Sequence, residues 1–251
     1  ALRAMSKDAP EHTPFFYLLL RWWAGEFGDS VETLRALPAL ISLLIFPALW
    51  FLCRELFFDD PNRERISLVA LALMAVSPFH VLYAQEVRQY SLMTVLILTA
   101  TALLLCALRT RRWRTWALYA LALAGGFYTH LLFALVWLAH VAIVLALIVH
   151  TRTENANDAN ANKSRAPMWA FAAAALGAGL LFVPWAAVLW QGREHGVVSW
   201  AANSSSPLYV AKTWVLVWSS LFFDPNQTQR WSNISSAEKF LIPTARMLRV
   251  L

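Results

Sequence analysis

Glu86 and Arg88 stand two residues apart in HVLYAQEVRQYSLM (80–93), between uncharged runs over 66–85 and 91–108. A guanidinium is a planar fork of donors that can hold an anion, and a carboxylate can take a proton, a hydroxyl or a metal. The plainer alternative is that the two pair with each other and fix a turn. Tyr83 and Tyr90 flank them, each with a ring to stack and a hydroxyl to bond. A second group is Asp8, Glu11 and His12 in KDAPEHTP, within five residues of one another, which could ligate a divalent metal or handle protons. His130, in GGFYTH (125–130), is the third candidate; His140 and His150 sit inside or at the end of an apolar run and read as packing or interface residues.

What positions these groups is a membrane. The chain is 59% hydrophobic with 13 Trp and 15 Phe, and only 14% charged, against about 25% charged for ordinary globular chains. Uncharged runs cover 36–53, 66–85, 91–108, 115–151 and 166–192, each long enough to cross hydrocarbon, which takes roughly 18 or more residues. None has the form of a signal peptide. The run over 115–151, at about 1.5 Å per residue, would make a rod near 55 Å, so it reads as two helices broken at GGFYTH. That predicts six spans, approximately 35–54, 66–83, 91–108, 115–128, 131–149 and 168–190, the fourth being short. The expected fold is all-α and polytopic, with a first outward segment over 1–33, a transmembrane region over 34–190 and a second outward segment over 191–251.

Orientation follows from Lys and Arg, which are retained on the cytoplasmic side. Connectors 54–65, 109–114 and 150–167 hold three, four and three of them, whereas 84–90 and 129–130 hold Arg88 alone. Glu86, Arg88, the first thirty-odd residues and everything after 190 are therefore expected to face outward, with Gln89 and Ser199 accessible from outside and Asn157 protected. The net charge of +6 mostly reflects this retention, not nucleic-acid binding. Cys53 and Cys106 fall at cytoplasmic ends of spans, where disulfides are rare. TENANDANANKSRA has the composition of a flexible linker, and the sequons at Asn203, Asn226 and Asn233 matter only in a glycosylating pathway. Trp22 and Trp23 mark a helix over the first outward segment that lies in the membrane interface, and SPLYVAKTWVLVWSSLFFDPN (206–226) marks another.

DAPEHTPFFYLLLRWWAGEFGDSVETLRALPAL, followed some forty residues later by SPFHVLYAQEVRQYSL, resembles the bacterial membrane glycosyltransferases of the family-39 type. These belong to the GT-C class with the protein O-mannosyltransferases and the lipid A aminoarabinose transferases. The resemblance covers roughly residues 5–150. It implies a GT-C transmembrane bundle in the bacterial inner membrane, moving a sugar from a polyprenyl phosphate to a lipid, glycan or protein acceptor at the periplasmic or extracellular face, with inversion. It also implies that the first outward loop carries the principal catalytic acid just after a preceding span, which places that acid upstream of Ala1, with Asp8 the nearest acid inside the chain. On that reading Arg88 holds the departing phosphate and Glu86 orients Arg88, ligates a metal or binds sugar hydroxyls. Glu11, His12, Tyr83, Tyr90 and His130 complete the substrate side. A divalent metal is the one cofactor it suggests, and nucleic acid is not an expected partner. The rival reading is a transporter or flippase of the same lipid-linked sugars, which should show polar or broken helices at mid-membrane.

Overall fold

Proline and glycine set the boundaries of the helices. In the computed structural model, which describes residues 13–154 and 166–192, Thr13 precedes α1 (Pro14–Phe27) with Pro14 at its first position, where a missing N–H costs nothing. Gly28 ends it at φ 94°, a conformation open to glycine. Ser30 then caps α2 (Val31–Leu43) by accepting from the Thr33 N–H at 3.2 Å. Trp23 ties the two helices by donating from Nε1 to the Thr33 carbonyl at 2.8 Å. Helices α3 (Ile45–Leu56), α4 (Arg63–Ala75), α5 (Pro78–Ala84), α6 (Tyr90–Thr110), α7 (Trp113–Thr129), α8 (Phe133–Glu154) and α9 (Ala166–Gly192) follow, so all nine elements among the described residues are helical.

Four stretches are long and apolar enough to cross a membrane: Val31–Leu56, Tyr90–Thr110, Phe133–His150 and Met168–Trp190. The protein is an all-α polytopic membrane protein. Two of the six expected spans differ from the rest. That over 66–83 is broken: Pro78 has no N–H to continue α4, Ser77 caps a new helix by accepting from the His80 N–H at 3.4 Å, and α4 and α5 meet at 61°. The fourth is α7, whose 17 residues reach about 25 Å, short of a full crossing.

The break expected at GGFYTH falls at the end of that stretch, past its two glycines. The helix runs through both and ends at Thr129, with His130 as its cap. Gly126 makes room instead: a Cβ there would collide with the ring of Phe133, so the glycine allows the tight α7–α8 turn.

Residues 12–187 make one compact unit; the second comprises 1–11 and 188–251, of which only the end of α9 is described. In the first unit the core joins Ala100, Leu104 and Ala107 of α6 to Trp116, Tyr119 and Leu123 of α7, with Phe133 and Val144 of α8 and Phe171, Ala174 and Ala178 of α9. The alanines let helix backbones approach closely, which substitutes for a hydrophobic driving force in lipid. Through this core runs a polar lock. Thr101 donates to the Ile97 carbonyl at 2.7 Å, so it accepts from Nε2–H of His140 at 3.1 Å; His140 Nδ1 then accepts the Tyr119 hydroxyl at 3.1 Å. His140 is 1% exposed with both nitrogens bonded across α6, α7 and α8, a packing residue as its sequence position suggested. By contrast Leu68, Val69, Leu73 and Val76 of α4 and its end are open, as a lipid-facing surface requires.

Candidate functional site

The short connection over residues 111–112 makes α6 and α7 antiparallel neighbours, so the start of α6, the end of α7 and the start of α8 share one end of the bundle. The Glu86 turn and His130 lie at that end. Arg54, Arg63, Arg65, Arg109, Arg111, Arg112 and Arg114 lie at the other. Gln85 ends α5, Gln89 begins α6, and the turn between is held by the Arg88 N–H donating to the Glu86 carbonyl at 2.8 Å.

Arg88 does not pair with Glu86, as the plainer alternative expected. Its Nη1 donates to the Tyr90 hydroxyl at 3.3 Å, and the Tyr90 ring meets Tyr83 edge-on at 4.9 Å. Ser91 Oγ donates to the Tyr83 carbonyl at 3.4 Å, closing the ring of contacts between α5 and α6. The Tyr90 bond, helped by the nearby Glu86 carboxylate and the Tyr17 hydroxyl, holds the Arg88 pKa above its ordinary value against the opposing effect of burial. Arg88 is therefore a permanent cation at the surface of the turn, with Glu86 half-buried beside it. Three of the expected residues, Arg88, Tyr90 and Tyr83, form one contact chain, with Glu86 in the same turn. Their arrangement suits an anion held by the remaining guanidinium donors, with tyrosine faces and hydroxyls around it.

His130 stands at the same end of the bundle, half-buried, and its Nδ1 accepts from the Leu132 N–H at 3.1 Å, which leaves the ring proton on Nε2. Beside it Tyr128 donates to the Leu181 carbonyl at 2.8 Å, in the turn preceding Pro184. Asp8, Glu11 and His12 lie outside the described residues, as do the linker beyond Glu154, the three sequons, Ser199 and the segment over 206–226. Among the described residues no three His, Cys, Asp or Glu side chains gather as a metal site. A shallow hollow lined by Phe58, Asp59, Asp60 and Arg63 lies at the opposite end, where Asp60 is already committed to the Asn62 N–H at 2.7 Å.

Sequence reasoning missed Tyr17 and Gln89. Gln89, read as outward and accessible, is only 8% exposed, and its Oε1 accepts the Tyr17 hydroxyl at 3.5 Å. The missed signal is helical spacing: Phe16, Tyr17 and Leu20, in line with the capping Thr13, make the buried face of α1, and Tyr17 puts a hydroxyl on that face.

A family model described as dolichyl-phosphate-mannose-protein mannosyltransferase matches residues 11–185. The match takes in both motif segments from Glu11 onward and continues to Trp185 in α9, beyond the reach of those motifs. No curated protein and no solved structure matches the chain.

Proposed function

Because this chain belongs to the dolichyl-phosphate-mannose-protein mannosyltransferase family, whose members are membrane glycosyltransferases that use polyprenyl-phosphate sugars, we propose that it delivers the sugar at the outer membrane face. The acceptor in this reading is a lipid, glycan or protein, and the anomeric carbon is inverted. What supports the outward face is the arginine asymmetry between the two ends of the bundle.

The observation that carries the reading is Arg88: a permanent cation at the surface of a half-turn, bonded to a neutral tyrosine rather than to the acid two residues away. A guanidinium with donors to spare is suited to a phosphate. In the proposed reaction an acceptor hydroxyl attacks the anomeric carbon opposite the phosphate. A carboxylate takes the hydroxyl proton, the carbon–oxygen bond to phosphate breaks, and the electron pair leaves on the phosphate. Single displacement gives inversion. Arg88 stabilises the charge that develops on the departing phosphate. Glu86 orients the guanidinium or sugar hydroxyls, Tyr83 and Tyr90 wall the site, and Glu11, His12 and His130 belong to its substrate side. The accepting carboxylate is assigned to the first outward loop, with Asp8 the candidate acid among these residues.

The bend between α4 and α5 and the buried His140 make these spans less uniform than the sequence suggested, which is the one feature a transporter would share. His140 offers no free polar group to a path through the bundle, because both its nitrogens are bonded. The test is release of polyprenyl phosphate from a polyprenyl-phosphate sugar by membranes carrying the full-length protein with Arg88→Lys or Arg88→Ala. Release should fall at matched expression, and unaltered release together with unaltered donor affinity returns Arg88 to a structural role.

A further inference from the structure

We infer that Tyr17 and Gln89 form a positioning pin through which helix α1 sets the turn that carries Arg88. This deepens the proposed function and rests on the reading of Arg88 as the phosphate anchor. The turn over 85–89 has little regular structure, yet a residue that anchors a phosphate must hold its place before the ligand arrives, or ordering it lowers affinity. Gln89 supplies that fixity from two sides. Its carbonyl accepts the Met93 N–H at 2.8 Å as the first bond of α6, and its side chain accepts the Tyr17 hydroxyl at 3.5 Å from 72 residues earlier in the chain. Both residues are 8% exposed, so the bond is shielded from water. Arg88 is the next residue along the backbone.

Helix α1 has a seat from which to act. Phe16 is fully buried and meets the Tyr17 ring edge-on at 5.7 Å. A Cβ on Gly125 of α7 would lie 3.8 Å from the Phe15 ring and 3.6 Å from Leu96 of α6, so α1 rests across the α6–α7 seam. Apolar contacts hold α1 there, and the Tyr17 hydroxyl is the part of that seating which reaches the turn. At 3.5 Å the bond is long, so its removal should be felt in ligand binding more than in folding.

The experiment uses the full-length protein in detergent with undecaprenyl phosphate as the probe and undecaprenol, which lacks the phosphate, as its control. Tyr17→Phe keeps the ring and removes the hydroxyl; Gln89→Met keeps the length and removes the acceptor. Each should weaken undecaprenyl phosphate binding about two- to tenfold, the range one neutral hydrogen bond supports. The double variant should be no weaker than either single one, because all three remove one bond. Undecaprenol binding and the thermal midpoint should be unchanged. Unchanged phosphate binding in Tyr17→Phe, or an equal loss for both lipids, overturns the pin. Arg88→Lys in the same assay separates the two readings. If it weakens phosphate binding while Tyr17→Phe does not, the pin alone falls; if it does not, the anchor and the pin fall together.

Discussion

Two glutamate–arginine sets stand at opposite ends of this bundle, and they behave in opposite ways. Glu55 and Arg109 are 54 residues apart in sequence, yet Arg109 grips both carboxylate oxygens at 2.7, 3.0 and 3.1 Å and lies over the Phe58 ring at 4.0 Å. Glu86 and Arg88 are two residues apart, yet Arg88 turns to a tyrosine hydroxyl. Sequence proximity does not decide pairing; backbone direction does. Glu55 and Arg109 are at the ends of packed neighbours α3 and α6, whereas in the 85–89 turn the Arg88 side chain runs forward to Tyr90 at the start of α6 and not back to Glu86. A fork already filled by a carboxylate has little left to offer a ligand. The comparison separates a structural arginine from one with donors to spare.

The widest expected difference between the two ends is one of access. Gln85 and Asn62 are both exposed, so each can carry a probe without disturbing packing, as Gln89 cannot. In intact cells Gln85→Cys should react with an impermeant thiol reagent and Asn62→Cys should not. Labelling of Asn62→Cys alone would reverse the orientation and remove the outward site.

The next effect is on catalysis. Arg88→Lys keeps the charge but loses the fork, and charge-assisted hydrogen bonds contribute roughly 1.5–3 kcal/mol each, so transfer should fall about tenfold to hundredfold. Arg109→Lys should leave transfer within about twofold, because its donors serve Glu55 and not a ligand. Equal losses at the two positions erase the distinction.

A smaller effect separates both ends from the middle. His140→Leu strips the Tyr119 hydroxyl of its acceptor inside the core, which should lower stability by about 1–3 kcal/mol for an unsatisfied buried group. Unfolding in mixed detergent reads this loss, and the folded fraction should transfer sugar normally. A selective loss of turnover at full stability would move His140 from the lock into the chemistry.

The bundle was legible in the sequence because hydrocarbon demands long uncharged runs, and α2–α3, α6, α8 and α9 follow from them. The α4–α5 bend was written in Ser77 and Pro78, but an apolar count weighs proline as one more uncharged residue. At GGFYTH two glycines signalled a break; the use of Gly126 depends on where Phe133 puts its ring, which is a tertiary fact. At the site, Glu86, Arg88, Tyr83 and Tyr90 could be picked out because ionic and aromatic groups are rare between clean spans. Their pairing could not, since it depends on which way a half-turn points. Tyr17 was hidden inside an aromatic, apolar stretch where a hydroxyl looks like one more interfacial anchor.

The smallest expected effect is at the better-formed pair. Glu55 is 9% exposed and Arg109 is 37% exposed, so water screens the arginine and most of the bidentate attraction repays desolvation and lost side-chain freedom. Glu55→Gln keeps an acceptor for Arg109 and leaves the guanidinium on Phe58, so stability should drop by less than about 1 kcal/mol. Arg109→Ala removes the ring contact as well, adding about 0.5–1 kcal/mol for an exposed cation–π pair, and it should be the worse of the two. Thermal midpoints of the two variants in one detergent, read together at low and high salt, test this. Added salt should narrow the gap between wild type and Glu55→Gln, since screening weakens the ion pair, while the further loss in Arg109→Ala should persist. If Glu55→Gln instead abolishes folding, the pair is holding α3 to α6 against a strain the geometry does not show, and its contrast with Arg88 as filled fork against open fork gives way.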